Sequence, residues 1–195
     1  MKSPVKSDRR VDRTRQQLMS AFRELLLERG YARLSVRGII ERANIGRSTF
    51  YEHFPNKEQL LYESLAFVLS PLGDAVLADQ SEDRLRLVTA HIWDTRKLTG
   101  IILLGSSRAV VLRFLADLIE ERMLALCAAT RTAQPVIPTP LIAAYLAEAQ
   151  LSLIGAWLSG PAECTPDALA HALAVGTSSA AKALLSAPAG FSAAR

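Results

Sequence analysis

The chain has 195 residues, half of them apolar, with 23 Lys/Arg against 19 Asp/Glu and a formal net charge of +4. That length and composition fit one or two folded domains and argue against a disordered chain. Its two cysteines, Cys127 and Cys164, lie far apart and read as core or bystander thiols, and with three histidines they show no metal-ligand spacing.

The positive charge is unevenly placed. Residues 1–57 hold 13 Lys/Arg against 6 Asp/Glu, a net of +7, whereas residues 58–195 hold 10 against 13, a net of −3. The first eleven residues are expected to form a basic flexible arm, with Lys6, Arg9 and Arg10 free to reach phosphates or a minor groove. They lack the apolar run of a signal peptide, and no stretch of about 18 uninterrupted apolar residues reads as a membrane span. From Asp12 the positions Leu18, Ala21, Phe22, Leu25 and Leu26 make the core stripe of one helix. Gly30 suits its C-terminal cap, and Tyr31 and Leu34 pack the corner that follows.

Residues 35–57, SVRGIIERANIGRSTFYEHFPNK, read as two short helices around a tight turn, with a third helix starting where they end. Ser35 is placed to N-cap the first, and Val36, Ile39, Ile40 and Ala43 fall on one buried face. Asn44 tolerates the left-handed conformation that ends a helix, Ile45 anchors the turn, and Gly46 caps the second helix, Arg47 to Phe54. Phe50 and Phe54 face the core there, while Arg47, Ser48, Tyr51 and His53 point elsewhere. Pro55 stops this helix, and Asn56 with Gln59 resembles a capping box for the next. Two helices around a short turn, the second bearing exposed donors, form a helix-turn-helix that fits a DNA major groove. The helix from Lys57 carries Leu60, Leu61, Ser64, Leu65 and Val68 on one face and bridges to the rest of the chain. Pro71 is expected to end or kink it, and residues 72–80 are ambiguous between helix and loop.

Residues 12–65 resemble the DNA-binding domain of the TetR family of bacterial transcriptional repressors. The resemblance rests on the helix Asp12–Arg29 followed by Gly30-Tyr31, on LSVRGIIERANI, and above all on RSTFYEHFPNKEQLL, with its aromatic-Tyr-x-His-Phe run and Asn-Lys turn. The chain departs from the pattern at Gly38, where an acidic residue is common, at Asn44, where Gly is usual, and at Gly46, where Ser or Asn is frequent. Gly38 costs its helix about 1 kcal/mol relative to Ala. The resemblance implies a bacterial cytoplasmic regulator in which Arg37 and Arg47 read base edges, a role suited to guanidinium pairing with guanine. By the same resemblance Ser35, Ser48, Thr49, Tyr51, His53 and Lys57 contact phosphates or base edges.

Residues 81–187 read as all helix. Ser81 caps a helix to about Leu98, broken at Thr99-Gly100; a short apolar piece, Ile101–Leu104, precedes a long helix from Ser107 to Thr130. Residues 131–138 form a loop, Thr139 is expected to cap a helix that has Pro140 at its first position and that Gly160-Pro161 ends, and Thr165-Pro166-Asp167 repeats that start signal for the last. The expected fold is therefore all-α, with a three-helix homeodomain-like helix-turn-helix domain (12–56), a helical effector-binding and dimerisation domain (57–187) and a frayed tail (188–195).

The last two helices are apolar nearly all round, which points to burial on a second side by another subunit. Ala149, Ser152, Gly155, Ala156, Ala172, Gly176 and Ala180 would let helices approach closely in a two-fold dimer. An effector pocket is implied by the family resemblance, and the polar or aromatic residues inside apolar stripes are its candidate lining: His91, Trp93, Arg96, Arg108, Tyr145, Gln150 and Trp157. The favoured reading is a homodimeric repressor on a palindromic double-stranded operator, released by a small apolar ligand, with no cofactor and no metal. A helix-turn-helix protein without effector, controlled by a protein partner or organising the chromosome, is the alternative. An enzyme is disfavoured, for the chain has no phosphate loop, nucleophile elbow or convincing acid–base pair.

Overall fold

The computed structural model of the chain describes residues 4–77, 82–130, 135, 137–160 and 163–186, with side chains from Val11 onward. Among these residues nine α-helices succeed one another: α1 (Pro4–Arg29), α2 (Val36–Ala43), α3 (Arg47–His53), α4 (Lys57–Asp74), α5 (Glu82–Asp94), α6 (Arg96–Leu103), α7 (Arg108–Thr130), α8 (Thr139–Ser159) and α9 (Pro166–Leu185). A 3-10 turn, Tyr31–Arg33, joins α1 to α2. The stripe of α1 is buried as its spacing requires, Leu18, Phe22, Leu25 and Leu26 belonging to one hydrophobic core with Ile39, Phe50, Phe54, Leu60 and Leu61. Gly30 has φ 70°, a conformation that favours glycine, and its amide bonds back to Leu26.

Four expectations need correction. Residues 4–11 continue α1 rather than forming an arm; Pro4 fits a first helical position and the Lys/Arg that follow are good helix formers. Pro71 does not end α4, which runs on to Asp74: a proline removes a single amide from a helix otherwise held by buried Leu65, Val68, Leu69 and Leu72. The next break falls at Thr95, not at Thr99-Gly100: the Thr95 hydroxyl donates to the His91 carbonyl at 2.7 Å, and Gly100 lies inside α6. Pro138, not Thr139, is the N-cap of α8, and the Thr139 hydroxyl donates to Glu120 instead. The cap at Ser81, most of the 131–138 loop, Pro161 and the 188–195 tail lie outside the described residues.

The C-terminal half is a bundle in which α7 packs between α4 and α8, and α5 packs on α9. At Gly73 α4 packs tightly on α7; a Cβ there would lie 3.0 Å from that of Leu118. The α6–α7 corner turns sharply at Gly105, where a Cβ would fall 2.2 Å from the Ile101 carbonyl oxygen. The Ser107 hydroxyl closes the corner by donating to Ile102 at 2.7 Å. By length and composition α8 and α9 are each apolar enough to cross a membrane, and half of the apolar stretch of α8 is buried in the bundle. Glu148, Gln150 and Ser152 interrupt the apolar run of α8.

Candidate nucleic-acid interface and ligand cavity

Two side-chain caps and one left-handed C-cap shape the helix-turn-helix. The Ser35 hydroxyl accepts the Gly38 amide at 3.1 Å, and the Asn56 carbonyl oxygen accepts the Gln59 amide at 2.8 Å. Asn44 ends α2 in the left-handed region, φ 53° and ψ 47°. Arg42 ties α2 to α1 by donating to both carboxylate oxygens of Glu28, each at 2.8 Å, and to Glu24 at 3.1 Å. That guanidinium holds the Glu28 carboxyl below its usual range.

On α3, Phe50 and Phe54 are fully buried and fix the helix against the core. Its other side is free: Arg47 and Ser48 are exposed, Tyr51 is 47% exposed, and Thr49 and His53 are half-buried. The Arg47 guanidinium lies 5.8 Å from the Tyr51 ring centroid, and the Tyr51 ring meets Phe50 edge-on at 5.3 Å. Arg37 is 86% exposed near the start of α2, paired with Glu41 at 2.7 Å. An exposed pair of this kind is weakly held and leaves the guanidinium available to another acceptor. The arrangement presents hydrogen-bond donors on one side of a short helix whose opposite side is immobile.

Lys57 is placed differently from these. It is half-buried, and its ammonium donates to the backbone carbonyls of Leu34 at 3.1 Å and Tyr31 at 3.4 Å while sitting 4.5 Å from the Tyr31 ring centroid. The Tyr31 hydroxyl is buried without a hydrogen-bond partner among the described residues. Burial, reinforced by the Glu58 carboxylate, pushes its pKa up to about 12. Arg15 was not singled out by the sequence: its guanidinium stacks on Phe54 at 4.8 Å and pairs with Glu63 on α4.

A seam joins this head to the bundle. The Ala32 amide donates to the Ser106 hydroxyl at 2.9 Å, linking the 3-10 turn to the α6–α7 corner. Arg113 on α7 pairs with Glu58 on α4 at 2.6 Å, and beside them Tyr62 and Phe114 meet edge-on at 5.1 Å.

A cavity of about 200 Å³ lies behind the seam, walled by Arg23 and Leu26 of α1, Ser64, Leu65, Val68, Leu69 and Leu72 of α4, His91 of α5, Thr95 between α5 and α6, Leu98, Thr99, Ile102 and Leu103 of α6, and Leu151 of α8. Of the seven pocket candidates, His91 alone is among these residues. Trp157 is buried and donates to the Cys164 carbonyl at 2.9 Å, and Gln150 is buried and donates to the Leu72 carbonyl at 3.1 Å, so the side-chain amines of both are engaged by backbone carbonyls. Trp93 packs on Trp157 at 4.9 Å with Arg96 over its outer face. Arg108 pairs with Glu148, and Tyr145 is exposed. No signal in the sequence distinguishes Arg23 from the other arginines of α1.

Of the residues expected to bring helices together, Ala149, Ser152, Ala156, Ala172 and Gly176 are exposed on α8 and α9, and Ala180 is half-buried. Leu141, Tyr145, Leu153 and Val175 are exposed on the same two helices. Gly155 belongs elsewhere: it is buried, and a Cβ on it would lie 3.0 Å from Leu104.

Residues 18–63 match the family model for bacterial regulatory proteins of the tetR family. Over 109 residues, 55% of this chain, the sequence is 34% identical to YxbF, an uncharacterized HTH-type transcriptional regulator of Bacillus subtilis (strain 168); the match spans 27% of that relative's length. The structure of a TetR-family regulator from Streptomyces coelicolor A3 is similar at TM-score 0.59 and 18% identity, covering 93% of this chain and 99% of that one. Thermus thermophilus FadR, a TetR family transcriptional repressor in complex with lauroyl-CoA, is similar at TM-score 0.50 and 22% identity, over 91% of this chain and 100% of that one. At these identities the structural likeness is one of fold.

Proposed function

We propose that the chain is a DNA-binding transcriptional regulator of the TetR family of bacterial regulatory proteins, a reading supported by the match of residues 18–63, and that it acts as a dimeric repressor released from its operator by a small apolar ligand. Two copies would join through the exposed Ala- and Leu-rich sides of α8 and α9, whose apolar surface exceeds what one chain buries. The two α3 helices would then enter successive major grooves of a palindromic site in the cytoplasm, half-sites about one helical turn or a multiple apart. Arg47 and Arg37 would read base edges, with Ser35, Ser48, Thr49, Tyr51 and His53 around them.

The observation that carries the ligand-gated reading is the position of the cavity. Its walls come from α1 of the head and from α4, α5, α6 and α8 of the bundle at once. A molecule filling it would favour one relative placement of head and bundle, shifting the population between DNA-competent and incompetent dimers. The lauroyl-CoA held by FadR lends this reading the precedent of a ligand within the same fold.

The test is selection of bound fragments from random duplex DNA, then footprinting with and without a panel of apolar compounds. A palindromic site that one compound releases is the expected result. Absence of any specific site overturns the DNA-reading assignment, and a palindrome unaffected by occupancy of the cavity overturns the gating.

A further inference from the structure

The polar groups of the cavity are unbalanced in sign. Leucines and Ile102 supply most of its wall, its ionisable members are Arg23 and His91, and no Asp or Glu lines it. The acids nearby on α1 are already engaged: Glu24 takes both Ser20 and Arg42, and Glu28 takes Arg42. Arg15 has Glu63. Arg23 has no hydrogen bond, ion pair or ring partner among the described residues.

A planar guanidinium at the edge of an apolar chamber, with no anion of its own, matches the bidentate geometry of a carboxylate. Arg23 is exposed at the rim of the chamber, so solvent screens part of such a pair while the apolar wall takes the rest of the ligand. We infer that the ligand of this cavity is a small apolar acid whose carboxylate is held by Arg23, an inference that rests on the ligand-gated reading above. The His91 ring, edge-on to Phe67 at 5.2 Å, and the hydroxyls of Ser64, Thr95 and Thr99 complete the polar part of the wall.

Size narrows the class. A chamber of roughly 150 Å³ admits benzene, so about 200 Å³ takes an aryl-alkanoic acid or a medium-chain acid. The anchor also has a consequence for regulation. Arg23 belongs to the first helix of the head, one residue from fully buried Phe22, so the ligand's charge would act on the head without an intervening helix.

The experiment compares acids with the alcohols of the same carbon skeleton. Isothermal titration of wild type and Arg23→Gln uses octanoate, octan-1-ol, 3-phenylpropanoate and 3-phenylpropan-1-ol, each also tested for release of the selected DNA site. Wild type is expected to bind at least one acid about tenfold or more tightly than its alcohol. Arg23→Gln is expected to abolish that margin while binding the alcohol as wild type does, and Arg23→Lys to keep part of it. Equal binding of acid and alcohol by wild type, or a margin that survives Arg23→Gln, overturns the inference. If equal binding is accompanied by DNA release, the gating reading stands while the acid anchor falls. Failure of all four probes to bind overturns the inference, and the wider compound panel then decides the gating reading on its own.

Discussion

Lys57 can serve the helix-turn-helix in two ways, and the two make opposite forecasts. As a contact to DNA it would add a charge at the N-terminus of α4. As placed, its ammonium closes the corner after α1 by holding the Leu34 carbonyl at 3.1 Å and the Tyr31 carbonyl at 3.4 Å, 4.5 Å from the Tyr31 ring centroid. One charge-assisted hydrogen bond of normal length contributes about 1.5 kcal/mol, the longer one less, and a half-exposed ammonium over a ring adds roughly 0.5–1 kcal/mol. Lys57→Met keeps the aliphatic stem and loses these contacts, so unfolding free energy should fall by about 2 kcal/mol. Urea unfolding at fixed protomer concentration measures this. The companion measurement is the slope of log K against log salt on the selected operator, to which each phosphate contact adds about 0.9. Reduced stability with an unchanged slope is expected. Unchanged stability with a slope smaller by about 0.9 would refute the corner-pin reasoning and return Lys57 to the DNA.

Arg47→Ala should cost about 1–3 kcal/mol of specific binding at one position of each half-site and leave the oligomeric state intact; gel-shift titration against matched and substituted sites checks both. Tyr31→Phe removes a buried hydroxyl that has no partner among the described residues, and should raise stability by about 1 kcal/mol near neutral pH. Because the folded pKa of Tyr31 is raised to about 12, its contribution is fully present below the unfolded value near 10 and is lost as pH rises through about 12. Wild type should therefore lose stability over that window relative to Tyr31→Phe, and parallel pH curves for the two would contradict the assignment. Gly105→Ala forces a Cβ against the Ile101 carbonyl and should destabilise the bundle by about 1–3 kcal/mol, read by thermal unfolding.

The head was legible because its determinants are local. Ser35, Asn44 and Asn56 act on atoms within four residues of themselves, and the core stripe of α1 is set by helical periodicity alone. The starts of α7 and α9 were legible for the same reason. The break at Thr95 was not, since a hydroxyl bonded to the His91 carbonyl competes with a glycine that a helix tolerates at Gly100. The cavity was illegible because five helices meet to make it. Polar residues within apolar stripes proved a poor guide, Trp157 and Gln150 being bound to backbone carbonyls in their own surroundings. The α4 stripe held better information: Ser64, Leu65 and Val68, read as a packing face, line the cavity.

The seam bears on how this protein can be rebuilt. Grafting a foreign reading head at residue 56 would look natural on paper, since the loop before α4 separates the two functions in sequence. Yet Leu60 and Leu61 complete the head's core, Ser106 takes the Ala32 amide, and Glu63 and Glu58 take partners on opposite sides of the join. A hybrid cut there would carry a head with part of its interior missing and a bundle offering a hydroxyl to nothing. A hybrid that keeps the first two turns of α4 with the incoming head, and a hydroxyl at 106 with the bundle, would inherit the geometry through which one half informs the other. Sensors assembled from this scaffold would thus be exchanged along an inclined surface, not at a point in the sequence.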